Sequence, residues 1–228
     1  MKVLQILPQL NIGGVERGTL DLSKALIHKG HQSFVISGGG VLVDELTQCG
    51  AKHYEIPVHI KSLRTLSLAK RLSETISSID PDIVHVRSRM PAWVNYRAFK
   101  MLQKKPLLVS TFHGLYSFPI YSKVMSFVDH SIAISKTVER YILENYKLDK
   151  NDITVIPRGC DPVEFNNDEI NSDDKAKIIN EIPQIVGKKI LTIPGRITKW
   201  KGVAEFIELL SLLDDNYHGL IVGPTAKS

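Results

Sequence analysis

Short apolar runs alternate with segments of helical periodicity along most of this 228-residue chain. Uninterrupted apolar runs such as Val3–Leu7 and Leu107–Phe112 predict buried strands, whereas apolar residues spaced three and four apart in Val15–Gly30 and Lys136–Tyr146 predict amphipathic helices. The remaining predicted strands of this region are Ser33–Ser37, His53–Ile56, Asp82–Val86, Ser131–Ile134 and Ile153–Ile156. The remaining predicted helices are Val41–Cys49, Thr65–Ile79, Ala92–Leu102 and Tyr121–Val128.

This alternation predicts an α/β fold in which a parallel sheet is covered by helices on both faces. Right-handed crossovers then give one complete Rossmann-like domain over residues 1–165. The polar stretch Asn166–Asp174 predicts a linker. Beyond it, two strands (Lys189–Ile193, Gly219–Val222) and the helix Val203–Leu213 are too few for a core, so residues 166–228 are expected to be the start of a second, incomplete domain.

Composition narrows the class of protein. Apolar residues make up 43% of the chain and charged residues 23%, as in ordinary globular proteins. No apolar run reaches the roughly 20 residues that a membrane-spanning helix needs. Two cysteines, Cys49 and Cys160, exclude a disulfide scaffold and suit a reducing cytoplasm, which is the expected location.

Positive charge is concentrated in the first part of the chain. The net charge is +5 overall, +6 over residues 1–165 and +7 within residues 61–105. Such an excess indicates either a solvated surface or a patch for an anionic partner such as a lipid head group, a phosphosugar or a nucleic acid. The chain has no basic–aromatic interleaving or helix-turn-helix pattern, which disfavours nucleic acid.

The loop after the first strand carries two adjacent glycines, Gly13 and Gly14, and then Glu16. At the carboxyl edge of a parallel sheet, glycines let a phosphate approach the free N–H groups of the following helix. A plain turn is the alternative. The loop is neither the GxGxxG dinucleotide motif nor a phosphate-binding GxxxxGK[ST] loop, which disfavours a dehydrogenase or a P-loop NTPase.

Two further clusters follow predicted strands. Arg196 and Lys201 lie between a strand and a helix, where two cations suit a diphosphate, although two solvated basic residues would look the same. His113 follows Phe112 and precedes Gly114, and either an active-site role or a merely exposed ring fits it. His85 and the segment 87–89 end the neighbouring strand at the same edge, with His85 expected to be packed.

One pair of acidic residues could suggest a metal. Asp80 and Asp82 have the D-x-D spacing that can hold a divalent cation. They precede a strand, at the opposite edge from the other candidates, so we interpret them as a helix-to-strand turn. The sequence predicts no metal site.

Taken together, the motifs resemble glycosyltransferase family 4, the retaining nucleotide-sugar transferases of the two-domain GT-B fold, and most of all bacterial enzymes that build lipopolysaccharide or other surface glycans. The matching stretches are GGVERGTLDLSKALIHKGH (13–31), PDIVHVRSRMPAW (81–93), STFHG (110–114), AISKTVERYI (133–142), VIPRGCDPVEF (155–165) and IPGRITKWKG (193–202).

The resemblance implies roles for particular residues. Gly13 and Gly14 match the loop that faces the nucleotide diphosphate and the acceptor, and Glu16 matches the acidic residue that follows it. His113 matches the active-site histidine near the transferred sugar. The other matches are Arg196 and Lys201 with the pair that binds the donor diphosphate, and Gly159 and Asp161 with the interdomain hinge.

The resemblance also implies the reaction and its partners. The reaction would be the transfer of a hexose-type sugar from a nucleotide-diphosphate sugar to a glycan or glycolipid acceptor. It would need no cofactor or metal, and the protein would contact the anionic inner-membrane surface peripherally. Domain 1–165 would face the acceptor and domain 166–228 the nucleotide-sugar. Family members continue beyond residue 228, so the alternative expectation is an inactive, C-terminally truncated remnant that binds only acceptor, membrane or a partner half-protein.

Overall fold

The computed structural model describes residues 1–60, 67–116, 119–162, 166, 171–195 and 197–223. The chain separates into two compact units, Met1–Gly159 and Cys160–Ser228. The break therefore comes a few residues before the boundary expected after residue 165.

The N-terminal unit contains a seven-stranded sheet in the order β3–β2–β1–β4–β5–β6–β7, with every pair parallel. This order is that of a doubly wound sheet, and it confirms the predicted α/β class. The strands are β1 (Lys2–Ile6), β2 (Gln32–Ser37), β3 (Lys52–Glu55), β4 (Ile83–Val86), β5 (Leu107–Phe112), β6 (His130–Ala133) and β7 (Ile153–Val155).

Helices cover both faces of this sheet because side chains of each strand alternate between two cores. In β2, Val35 packs with residues of α1 and α2, whereas Phe34 and Ile36 pack with residues of α3 and α4. The helices of the unit are α1 (Gly14–His28), α2 (Val43–Gln48), α3 (Ala69–Ile79), α4 (Arg89–Phe99), α5 (Pro119–Ser122) and α6 (Lys136–Asn145).

Two predicted helices differ from the observed ones. Tyr121–Val128 was expected to be one helix, but α5 is followed by a separate 3₁₀ turn, Lys123–Ser126. The Ser126 hydroxyl donates a hydrogen bond to the Lys123 carbonyl at 2.7 Å, which competes with α-helical pairing. α4 begins at Arg89 rather than Ala92, since Pro91 is tolerated in the first turn of a helix.

The second unit contains two parallel strands, β8 and β9, which pair from Lys189–Tyr217 to Pro194–Val222. A helix also occupies part of the predicted linker. The Asn171 side chain caps it by accepting the Asp173 N–H at 2.9 Å, and acidic residues in its first turn favour the helix dipole. The elements are α7 (Ser172–Glu181), β8 (Lys189–Pro194), α8 (Val203–Ser211) and β9 (Tyr217–Val222).

This small sheet leaves apolar side chains uncovered. Ile207 and Leu212, in and just after α8, and Val222 in β9 are all more than half exposed. One crossover helix and two strands therefore bury only part of the apolar surface that they carry. Among the described residues of both units, no helix is long and apolar enough to cross a membrane.

A glycine locks two loops of the N-terminal unit together. Leu10 N donates to the Gly39 carbonyl and Leu42 N donates to the Leu10 carbonyl, both at 2.8 Å. Gly40 lies between these bonds with φ 142°, and a Cβ there would collide with the backbone of Leu10 and Asn11. The loop after β1 is thus held against the loop after β2.

Replacing Gly40 by alanine should destabilise the unit by roughly 2–5 kcal/mol, because backbone strain adds to the collision. Gly30→Ala is the matched control, since Gly30 also has a positive φ but open space around it. It should cost only about 1–2 kcal/mol. Urea unfolding followed by circular dichroism measures both, and equal losses would contradict the collision.

Candidate active site

The candidate residues of the N-terminal unit lie near the point where the strand order of the sheet reverses, between β1 and β4. β1 and β4 are neighbours although they are not consecutive, so the loops after them diverge and leave a crevice at their carboxyl ends. The loop after β1 carries Gly13, the residue after β4 is Arg87, and the residue after β5 is His113.

The glycine loop forms the start of α1. Gly13 precedes the helix in an extended conformation, and Gly14 is its first residue. The Glu16 carboxylate folds back over Gly13, into space that a Cβ at Gly13 would occupy. The loop therefore places backbone N–H groups and a glycine surface at a helix N-terminus, which suits an anion, and the Glu16 carboxylate occupies part of the space over Gly13.

Arg87 is the buried cation of this edge, with only 6% of the residue exposed. Its Nη1 donates to Gln5 Oε1 at 3.1 Å, and its Nε finds no partner within the described part of the chain. Gln5 in turn donates to the Thr19 carbonyl at 3.1 Å and to Ser23 Oγ at 3.0 Å. A network between β1 and α1 thus holds the guanidinium.

Arg158 joins Arg87 on the surface of α1. Its guanidinium packs on Gly14 and Gly18, which lie on one face of the helix because they are four residues apart. A Cβ on Gly18 would lie 3.0 Å from Arg158 Nη2 and 3.3 Å from Arg87 Nη2, so the two guanidinium groups are neighbours. Burial, and then the charge of Arg158, lower the pKa of Arg87 to about 10.

His113 lies in the field of these two cations. Burial lowers its pKa to about 3, and the charges of Arg87 and Arg158 add to the effect. Its backbone N–H donates to the Tyr116 hydroxyl at 3.4 Å, while neither ring nitrogen has a partner among the described residues. The imidazole is therefore neutral at physiological pH, and its one donor and one acceptor are buried and left unsatisfied by the described residues.

His85 has a packing role, as the sequence indicated. It is buried in β4, and its Nε2 shares a hydrogen bond of 2.7 Å with Thr111 Oγ1. Burial, together with the charge of Arg87, keeps its pKa well below the usual value. Its hydrogen bond ties β4 to β5, next to the strand ends that carry the site.

Lys201, one of the two predicted cations of the second unit, lies in the turn between β8 and α8. The Lys201 stem packs over Gly195, where a Cβ would lie 3.3 Å from Lys201 Cε. Gly195 and Gly202, which flank this turn, both have positive φ angles. Arg196 lies outside the described residues. Gly159 ends the first unit and Asp161 follows the break, and their hinge role stays a prediction.

The Asp80–Asp82 segment is a turn, as expected. Asp80 has left-handed φ and ψ angles at the end of α3 and accepts from Lys104 Nζ at 2.8 Å, and Asp82 accepts the backbone N–H of Lys2 at 2.7 Å. A groove of about 330 Å³ beside it is lined by Ile76, Asp80, Met101 and Lys104, among others. Lys104 pairs with Asp80, so the charges among the residues named for this groove compensate each other. The carboxyl edge of the sheet is therefore the better candidate for the functional site.

Comparison with known proteins identifies the family. The model of glycosyltransferase family 4 matches residues 12–164, about two thirds of the chain. The chain belongs to glycosyltransferase family 4. The match includes the glycine loop, Arg87, His113 and Arg158.

Solved structures of other proteins share the fold of this chain. A glycosyltransferase from Rickettsia africae is 36% identical, with a TM-score of 0.82 over 97% of this chain and 60% of that one. HepE from Anabaena, solved with UDP and glucose, is 17% identical, with a TM-score of 0.80 over all of this chain and 62% of its own. These likenesses confirm the GT-B type of fold.

Curated relatives are matched over a smaller share of their length. An uncharacterised glycosyltransferase of Methanocaldococcus jannaschii is 30% identical over 156 residues, which is 60% of this chain and 38% of the relative. This family 4 chain therefore spans well under half of that relative and about three fifths of the Rickettsia structure.

Sequence reasoning missed two cations of the site. Arg87 was noted only for its place at a strand end, and Arg158 only as part of a motif. A signal for Arg87 was present in β1, where Gln5 interrupts an apolar strand. A buried amide needs partners, so Gln5 indicated a polar neighbour at this point of the sheet.

His113 should stay neutral in mildly acidic solution. Its pKa is about 3 in the folded chain, against about 6.5 in an unfolded one, so only the unfolded chain binds this proton between those pH values. Stability that is present above pH 6.5 should be lost as the pH falls towards 3. We expect the His113 Cε1 proton resonance to be unchanged down to pH 5, and His113→Asn to be less acid-sensitive in unfolding. A His113 titration near pH 6.5 would contradict the assignment.

Proposed function

We propose that this protein transfers a hexose-type sugar, with retention of configuration, from a nucleotide-diphosphate sugar to a glycan or glycolipid acceptor. The observation that carries the proposal is the pair of guanidiniums beside the glycine loop in a family 4 chain. HepE, which has the same fold, was solved with UDP-glucose, and this supports a nucleotide-sugar donor.

The proposed chemistry needs stabilisation of a departing anion. Glycosyl transfer passes through an oxocarbenium-like state while the diphosphate leaves with growing negative charge. Fixed cations and helix N-termini lower this barrier without reorganising. We assign the leaving diphosphate to Arg196 and Lys201, and, as the resemblance implies, the glycine loop at Gly13 and Gly14 faces the nucleotide diphosphate and the acceptor. With these groups in place, no metal is needed to neutralise the diphosphate.

His113 and Glu16 complete the proposed site. A neutral imidazole can donate one hydrogen bond and accept another, which suits sugar hydroxyls. The Glu16 carboxylate lies over Gly13, where it can accept hydrogen bonds from a hydroxyl. The acceptor class, bacterial surface polysaccharide such as lipopolysaccharide, comes from the resemblance of the motifs. It implies a cytoplasmic site of synthesis.

The donor assignment is tested at Lys201. Lys201→Ala should weaken binding of a nucleoside diphosphate about tenfold or more, because a charge-assisted bond to phosphate is lost. Lys199→Ala is the matched control, since Lys199 is exposed two residues earlier in the same 3₁₀ turn. Titration calorimetry with UDP, GDP and ADP measures both variants.

Equal affinities for the two variants would remove Lys201 from the site. Arg196→Ala should weaken the binding of the same nucleotide whose binding Lys201→Ala weakens. Transfer itself is measured with the preferred nucleotide-sugar and glycan acceptors, by the release of nucleoside diphosphate that depends on acceptor.

A second candidate function is binding to an anionic membrane surface, either in support of transfer or alone. The observation favouring it is that loops at the carboxyl edge expose large apolar side chains: Ile12 is 87% exposed, Leu115 60% and Ile120 89%. These residues follow β1 and β5, and the net charge over residues 1–165 is +6. Exposed apolar side chains on a chain segment of positive net charge suit an interface with anionic lipid.

The double variant Ile12→Ser with Leu115→Ser should bind anionic vesicles about tenfold less tightly, because two apolar contacts are lost. Met101→Ser with Leu107→Ser is the control, since these side chains are 55% and 49% exposed at the opposite edge. Sedimentation with phosphatidylcholine–phosphatidylglycerol vesicles at low and high salt measures binding. Absence of salt-sensitive binding by the unchanged chain would end this hypothesis.

A further inference from the structure

We propose that Arg87, Arg158 and the first turn of α1 form a phosphate-binding site that belongs to the N-terminal unit alone. All its protein groups come from Met1–Gly159, and neither Arg196 nor Lys201 is one of them. Its elements are two converging guanidiniums that form no ion pair with a described carboxylate, and a glycine-surfaced helix start.

The first argument is geometric. Arg158 reaches α1 from the segment after β7, and Arg87 reaches it from the end of β4. Both bring an Nη2 atom within 3.3 Å of the place where a Cβ on Gly18 would be. Two side chains from separate strands therefore converge on one point of the helix surface, one turn from the helix start at Gly14.

The second argument is the charge balance. Among the described residues, neither guanidinium has a carboxylate within 4.0 Å. Arg87, with 6% exposure, has only the neutral Gln5 amide as acceptor, and its Nε–H has no partner in that part of the chain. A buried, unpaired cation is costly, and a second cation beside it raises the cost. A bound anion removes both penalties.

The third argument concerns the kind of anion. Glu16 and Asp21 act on Arg87 from a distance, yet neither folds onto it as an ion pair. Two neighbouring guanidiniums beside the first turn of α1 offer several N–H donors, which suit an anion with several acceptor oxygens better than a single carboxylate. The arrangement assigns the site to a phosphate.

Two phosphates could be bound here, and this step rests on the proposed function. One is the diphosphate of the donor, and the other is a phosphate on the acceptor. Both present the same oxygens to the site, so competition with nucleotide distinguishes them.

The experiment titrates inorganic phosphate into the ¹⁵N-labelled chain at constant ionic strength. The readouts are the Gly14 and Gly18 amide resonances and the Arg87 Nε–H resonance, which report this site and not the second unit. Arg158 is exposed, so Arg158→Ala should fold, and we expect it to weaken phosphate binding at these resonances at least tenfold. Arg97→Ala removes the same charge at the far end of α4 and should change the affinity less than twofold.

Repeating the titration with saturating UDP, GDP or ADP identifies the source. Displacement of phosphate by a nucleotide assigns the site to the donor, and phosphate binding that persists assigns it to the acceptor. Lys201→Ala should leave the phosphate signal at Gly18 unchanged, so failure of the donor assignment and failure of this site are distinguishable. No shift at Gly14, Gly18 and Arg87, or equal affinities for Arg158→Ala and Arg97→Ala, would overturn the proposal.

Discussion

The positive charge that Arg87 carries into the sheet constrains the whole carboxyl edge of the N-terminal unit. A guanidinium buried at a strand end needs a hydrogen-bond acceptor, and Gln5 provides it from the neighbouring strand. Because the Gln5 amide is itself buried, its N–H groups need acceptors too, and α1 supplies the Thr19 carbonyl and Ser23. The position of α1 over β1 is therefore tied to the same charge.

The glycines of α1 are the second consequence of that constraint. Gly18, inside α1, lowers the stability of the helix by about 1 kcal/mol relative to alanine, whereas Gly14 is the first helical residue. In return they let two guanidinium groups lie against the helix backbone, where a Cβ would meet Arg158 within 3.0 Å or less. The GGVERG segment thus provides both a glycine loop and a helix surface against which cations can pack. A plain turn would need only the glycine loop.

The sheet was predictable because each strand of a parallel sheet is a short apolar run, and the carboxyl-edge rule placed Gly13 and His113 together without any contact being known. Arg87 and Arg158 were not recognised as a pair, because β4 and β7 are about seventy residues apart in sequence and their side chains meet only across α1. α7 was missed because its stabilisation is local: Asn171 caps a polar helix that has no buried residue and hence no apolar period.

The neutrality of His113 limits the chemistry that this edge can support. A general acid or base works best with a pKa near the operating pH, and burial beside Arg87 and Arg158 holds the pKa of His113 at about 3. Its ring is thus suited to hydrogen bonding and not to proton transfer at neutral pH. A diphosphate leaving group needs no proton from the enzyme, because cations can stabilise its charge. Burial is the main cause of the low pKa of His113, and the two cations that add to it are the ones that would hold such an anion, so both properties depend on the position of Arg87 and Arg158.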